Sequence, residues 1–275
     1  KILAKIISSL KARLKKQIRK DRFSALFPSR QMHVALNKYL WKKYSADKTV
    51  VELHAIPETD YIIPAYLLRL SNGSRTCVSG GLQFHCEFED YLLSNGFTVH
   101  IYEIDPMSWQ WFEDSRSHNL SFVLHKKGLF DLNKSSSFFG DSNRNTSPSI
   151  LSDFHDDSNI TNLGKCQLVT LKTAISESNI STLALVKLDI EGVALKVVSQ
   201  ALEDNLSVSC FVFEAERPVG GKNEATPYFF ELIETISLLE KDGYQVLCYP
   251  RRDKYNSFAT LCTAFKYYSS GPSCS

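Results

Sequence analysis

The chain has 275 residues, 43% of them hydrophobic and 23% charged. These are the proportions of a globular protein and exclude a disordered or fibrous one. Lys plus Arg is 32 against 30 Asp plus Glu, a net charge of +2, so charge gives no reason to expect a polyanion, and no nucleic-acid partner is expected. No stretch reaches the roughly 18 apolar residues of a membrane span. The sequence opens on Lys1, which allows an upstream signal or anchor to have been removed.

Residues 1–20 place Ile2, Leu3, Ile6, Ile7, Leu10, Leu14 and Ile18 at helical spacing among basic residues. This predicts a basic amphipathic helix, suited to a membrane surface or to packing on the domain or on a second copy. One or two further short helices are expected over 24–60, making 1–74 an N-terminal helical cap. From residue 75 short apolar runs alternate with helical segments, the texture of a βαβ array. Strands are expected at 76–79, 98–103, 121–124, 185–189, 210–214, 244–249 and 260–266, and helices at 88–94, 106–114, 193–204 and 227–241. Asn95-Gly96 and Asp242-Gly243 are natural helix stops. The segment 131–162 is rich in Ser, Asn and Asp and reads as a mobile surface insertion. The βαβ domain is expected over 75–268, with a tail at 269–275.

The last two strands are joined by 250–259, too short for a helical crossover, so they must pair as an antiparallel hairpin. Five parallel units closed by such a hairpin are the plan of the class I methyltransferases. The nicotinamide dinucleotide folds differ in having a parallel sixth strand. The fold class expected is therefore α/β, a doubly wound Rossmann-like sheet of seven strands with an N-terminal helical cap.

The seven cysteines, Cys77, Cys86, Cys166, Cys210, Cys248, Cys262 and Cys274, are scattered and form no C-x-x-C pair, and no metal is expected. Cys77, Cys210, Cys248 and Cys262 lie in apolar runs and read as buried thiols. Asn72, Asn119, Asn133, Asn145, Asn159, Asn179 and Asn205 each begin an N-x-S/T sequon, where chance gives roughly two. A secretory-pathway location and a cytoplasmic one both stay open. Asn133, Asn145 and Asn159 are the acceptors expected to carry glycan if the first holds.

Chemistry-bearing residues gather at the expected carboxyl ends of the strands. Gly80 and Gly81 follow the first strand, and two glycines let backbone approach a ligand. Glu103 ends the second strand, where a carboxylate can accept the hydroxyls of an adenosine ribose. Asp189 and Glu191 stand in Asp-Ile-Glu-Gly after the fourth strand, placing two carboxylates at the ligand edge; Asp189 can alternatively cap the next helix. Lys187, within that strand, needs an acidic partner if buried. His85 and His125 are candidate general bases. Glu214 and Glu216, at the end of the fifth strand, are candidates to meet the acceptor, though Glu216 can instead pair with Arg217.

The tract LVTL at 168–171, followed by LALVKLDIEG, FVFEAERP and DGYQVLCYPRRD, with YEIDP at the second strand, resembles the FkbM-type family of S-adenosylmethionine-dependent methyltransferases over roughly 75–266. The resemblance implies methyl transfer from S-adenosylmethionine to a hydroxyl of a sugar, lipid-linked or small-molecule acceptor. It further implies Gly80 and Gly81 at the methionine end of the cofactor, Glu103 at its ribose, and Asp189 with Glu191 beneath the reacting methyl. Val78, Phe84 and Ala194 depart from the family's pattern, where an acidic residue, a glycine and a Glu are usual. A catalytically inactive binding module on the same fold is one alternative. An NAD-dependent oxidoreductase, suggested by the glycine-to-glutamate spacing, is another.

Overall fold

The computed structural model describes residues 30–71, 74–116, 121–141, 147–152, 160–216, 225–251 and 259–266. The expected helix over 1–20, the tail at 269–275, Arg217, and the sequons at Asn72, Asn119, Asn145 and Asn159 lie outside them.

The centre is a seven-stranded sheet. Five strands run parallel: β3 (Thr76–Gly80), β4 (Thr98–Tyr102), β5 (Phe122–His125), β9 (Leu183–Leu188) and β10 (Val208–Glu216). The chain closes with β11 (Gln245–Tyr249) and β12 (Ala259–Phe265), and β12 lies antiparallel between β10 and β11. The spatial order is β11-β12-β10-β9-β3-β4-β5. This is the class I methyltransferase plan expected from the sequence, and the antiparallel β12 sets it apart from the nicotinamide dinucleotide folds.

Why these segments form a parallel sheet is visible in their composition. Strands covered by helices on both faces read as continuous apolar runs, and all six residues of β9 are buried. Alternate residues supply two separate cores. Val78, Val186, Phe211 and Phe213 belong to one, whereas Cys77, Leu185, Cys210 and Val212 belong to the other. The helix Ala194–Glu203 after β9 buries Ala194, Leu195, Val197, Val198 and Ala201 at the intervals of one helical face. The helix Glu87–Ser94 stops at Asn95-Gly96 with Gly96 at φ 79°, and Ala225–Lys241 stops before Gly243 at φ 85°.

Two regions differ from the sequence reading. Among the described residues of 131–162, expected as a mobile surface insertion, much is strand: β7 (Lys134–Asp141) pairs antiparallel with β8 (Ile160–Val169), and β8 pairs in parallel with β6 (Gly128–Leu129). Phe138 and Cys166 from this sheet enclose a third core with Phe130, Leu168 and Val193. Ahead of β3, a helix Arg30–Lys43 is followed by β1 (Leu53–Ala55) and β2 (Ile62–Pro64), a short antiparallel pair where only helices were expected. This pair is pinned to the sheet by the Ile62 N–H donating to the Tyr249 hydroxyl at 3.0 Å and the Thr263 hydroxyl donating to the Ile62 carbonyl at 2.6 Å.

Candidate functional site

In an open α/β sheet the ligand crevice lies outside the carboxyl ends of the strands where the winding direction reverses. That point is between β3 and β9. A cavity of about 560 Å³ opens there, bounded by the turn after β3, the ends of β4, β9 and β10, the segment 147–150, whose Ser149 bridges to Phe139 of β7, and residues 58–61 ahead of β2. Its size falls in the range of small-molecule sites, on the order of 300–1,000 Å³.

Gly81 makes the first wall. Its φ is +81°, and a Cβ built on it would sit 1.8 Å from the Asp189 carbonyl oxygen, so only glycine fits between the ends of β3 and β9. The turn is held from both sides. The Gly81 N–H donates to the Tyr102 carbonyl at 3.0 Å, and its carbonyl accepts from Lys187 Nζ at 2.7 Å.

Glu103 holds the rest of the turn. One carboxylate oxygen accepts from the N–H groups of Leu82 and Gln83 at 2.7 and 3.1 Å, and the other from those of Ile104 and Asp105 at 2.6 and 2.8 Å. Burial raises its pKa, and the four backbone donors oppose that rise without cancelling it. Four N–H groups fill the acceptor capacity of a carboxylate. Glu103 thus clamps the loop as it stands, and a ligand hydroxyl reaching it would share or replace the long bond from Gln83. We expect Glu103→Gln, which turns an NH2 group toward backbone donors, to lower stability by about 1–3 kcal/mol, read in a urea melt.

Lys187 is buried, and its ammonium lies 3.6 Å from Glu89 and 3.7 Å from Asp189. Burial pulls its pKa down, but the carboxylates, Glu89 foremost, outweigh that and hold it above the ordinary value. Glu89 is itself buried and accepts from the Ser79 hydroxyl. The Asp189 carboxylate also accepts from the Tyr61 hydroxyl at 2.9 Å, which orients it toward the cavity it lines. The helix after Asp189 starts only at Ala194, with Val193 in the capping position, so Asp189 is not its cap.

Glu191 and Gly192 form the turn after Asp189 with φ of 40° and 84°. Ser149 braces it by donating its hydroxyl to the Glu191 carbonyl at 2.9 Å. Burial pushes the Glu191 carboxyl up to about 7, with the Asp189 and Glu214 charges adding to the rise and hydrogen bonds to Glu216 and Ser147 opposing it. Glu214 is raised to about 10, chiefly by burial and the neighbouring carboxylates, against the lowering effect of Arg251. Glu216 is raised well above its ordinary value by burial and by Glu191. Arg251, just past β11, pairs with Glu214 at 2.7 Å, with Glu216 at 3.7 Å and with Asp60 at 3.8 Å.

Gly81, Glu103, Asp189, Glu191, Glu214 and His85 all line the cavity. Gly80 stands behind the wall, where a Cβ would meet Ile190 and Leu129 at 3.1 Å. His85 sits at the rim, largely exposed and 3.7 Å from Glu87. His125 does not line the cavity: it stacks on Tyr102, which does, and reaches His100 at 3.2 Å. Burial drives its pKa down to about 4. Glu216 is not part of the cavity wall and acts on it through Glu191 and Arg251. Tyr61, Glu89 and Arg251 were not anticipated from the sequence. An acidic partner for Lys187 was, and Glu89 and Asp189 fill that part.

No protein-family model matches the chain. No curated protein matches it either. Among solved structures it is similar to the fibrillarin pre-rRNA processing protein of Methanococcus jannaschii, at 8% identity over 80% of this chain and 84% of that one, with a TM-score of 0.41. It is similar also to an rRNA methylase of Streptococcus thermophilus, at 9% identity over 74% and 93%, TM-score 0.40. A third is a Streptococcus mutans protein in complex with SAH, at 9% identity over 74% and 94%, TM-score 0.40. The expectation of no nucleic-acid partner is corrected here. The similar structures include proteins named for rRNA, and a balanced net charge does not remove nucleic acid from the candidate acceptors.

Proposed function

We propose that the chain is a methyltransferase that takes its methyl group from S-adenosylmethionine and delivers it to a hydroxyl oxygen, in the manner the FkbM-type resemblance implies. The observation that supports this most is the convergence, on one cavity at the reversal point of a methyltransferase-ordered sheet, of the Gly81 turn, Glu103 and the Asp189–Glu191 pair. The antiparallel β12 speaks against the oxidoreductase reading.

The residues fit the cofactor. Ile104, Leu129 and Leu168 give the cavity an apolar side next to Glu103 suited to a purine, and the Gly81 turn offers close backbone to the amino-acid end. Carboxylates at Asp189 and Glu191 suit a sulfonium. S-adenosylmethionine supplies an electrophilic methyl whose carbon–sulfur bond breaks as the new carbon–oxygen bond forms. Asp189, fixed by Tyr61 and Lys187, orients the reacting groups, and positioning of this kind carries most of such a displacement. Glu191 takes the hydroxyl proton, since a carboxyl titrating near neutrality is ionised enough to accept it and basic enough to hold it. Glu214 and Arg251 face the acceptor side. In this reading the segment ahead of β3 lends Glu58 to Tyr61 to the cavity wall, the unit from residue 75 onward is the catalytic one, and the acceptor is a hydroxyl of a sugar, lipid-linked or small-molecule compound.

The test is a pH profile. Activity should rise as Glu191 ionises through about pH 7, and Glu191→Gln should lose that limb together with roughly a hundredfold or more in rate. A stability effect accompanies it with a definite sign. The folded carboxyl binds its proton more tightly than the unfolded one, so stability falls as pH rises from the ordinary carboxylate range through about 7. For this partly buried group the loss is on the order of 2 kcal/mol, and in urea melts at pH 5 and 8 the Gln variant should show a smaller fall than the wild type, the shares from Glu214 and Glu216, whose carboxyls are also raised, remaining.

A further inference from the structure

We infer that Cys248 and Cys262 form an intramolecular disulfide across the terminal hairpin, a covalent modification site independent of the methyltransferase reading. The two residues face each other in the antiparallel register of β11 and β12. The Cys248 N–H donates to the Tyr44 carbonyl at 2.9 Å, so it points away from β12 and the pair is a non-hydrogen-bonded one. In such pairs the Cα atoms approach to about 4.5 Å and the side chains are at their closest, inside the Cα window of roughly 4.4–6.8 Å that a disulfide spans. The sulfurs already lie 3.6 Å apart. Small side-chain rotations bring them to the bond length of about 2 Å.

Both thiols are in the apolar core, so bridging them leaves no polar group without a partner. The bridge would fix the two strands that carry Arg251 and Leu261 to the cavity wall.

A small disulfide such as oxidised glutathione is the oxidant. One cysteine thiolate attacks it, breaking its S–S bond and releasing one glutathione thiolate. The second cysteine thiolate then attacks the mixed disulfide, forming the Sγ–Sγ bond and releasing the other glutathione. Two cysteine thiols are oxidised, one glutathione disulfide is reduced to two thiols, and the cysteine protons pass to the departing thiolates. Burial restricts attack on the folded hairpin, so the bond forms during folding and is shielded afterward.

The 275-residue chain is refolded from denaturant in a glutathione redox buffer, blocked with N-ethylmaleimide, digested and mapped by mass spectrometry. The expected result is a 248–262 linked peptide, lighter by two hydrogens and lost on reduction, with a higher melting temperature for the oxidised protein. Cys248→Ala and Cys262→Ala should each abolish the link, but the wild-type map decides even if neither variant folds. Full alkylation of both thiols, a bridge from either to another cysteine, or an oxidised form that melts no higher than the reduced one would overturn the inference.

Discussion

Asp189→Asn abolishes methyl transfer or cuts it a hundredfold or more, and leaves the melting temperature in place. The Asn side chain keeps an oxygen to accept from the Tyr61 hydroxyl, and Lys187 retains Glu89 and the Gly81 carbonyl. The lost ion pair at 3.7 Å involves a carboxylate that is about a third exposed, so its removal costs less than about 1 kcal/mol. What disappears is the negative charge that faces a sulfonium and an acceptor hydroxyl. Full turnover by the variant in a methyl-transfer assay would remove Asp189 from the chemistry.

Lys187→Met has the largest expected effect on stability. The substitution takes the cation from Glu89, which is only 1% exposed, and leaves the Gly81 carbonyl without its donor. Breaking a buried pair from one side costs about 3–5 kcal/mol, because the remaining charge stays buried and uncompensated. Adding Glu89→Gln to the variant should recover a large part of the loss, since the orphaned charge is then gone. Urea denaturation of the single and double variants checks this, and a loss below 1 kcal/mol for Lys187→Met alone would mean that the pair holds nothing together.

The sheet and its closing hairpin were legible in the sequence because buried parallel strands are nearly unbroken apolar runs, and the link over 250–259 is too short for any other connection. The Asp-x-Glu-Gly turn and the Gly-Gly turn were legible for the same reason: each follows such a run directly. The strands β7 and β8 were not, because their exposed faces carry Lys, Ser, Asn and Gln and only a few inward positions such as Phe138 and Cys166 are apolar. The pair β1 and β2 is three residues per strand, too short for a period to show. That also hid Tyr61, whose hydroxyl meets a carboxylate 128 positions away in sequence. Spacing placed Glu103 at the cavity. It could not reveal the four backbone donors on its carboxylate, which depend on a loop in which Gln83 takes φ of 52°. His125 was drawn to the ligand edge because it ends a strand, but β5 is the outer strand on its side of the sheet, two strands from the reversal point.

Calorimetric titration of the folded chain with S-adenosylmethionine, and with its demethylated product, tests the central claim most directly. One saturable site is predicted for each ligand, with affinity weakened at least tenfold by Glu103→Gln, and with no comparable binding of NAD. Absence of binding by both ligands at millimolar concentration, in protein shown to be folded by its thermal melt, would contradict it.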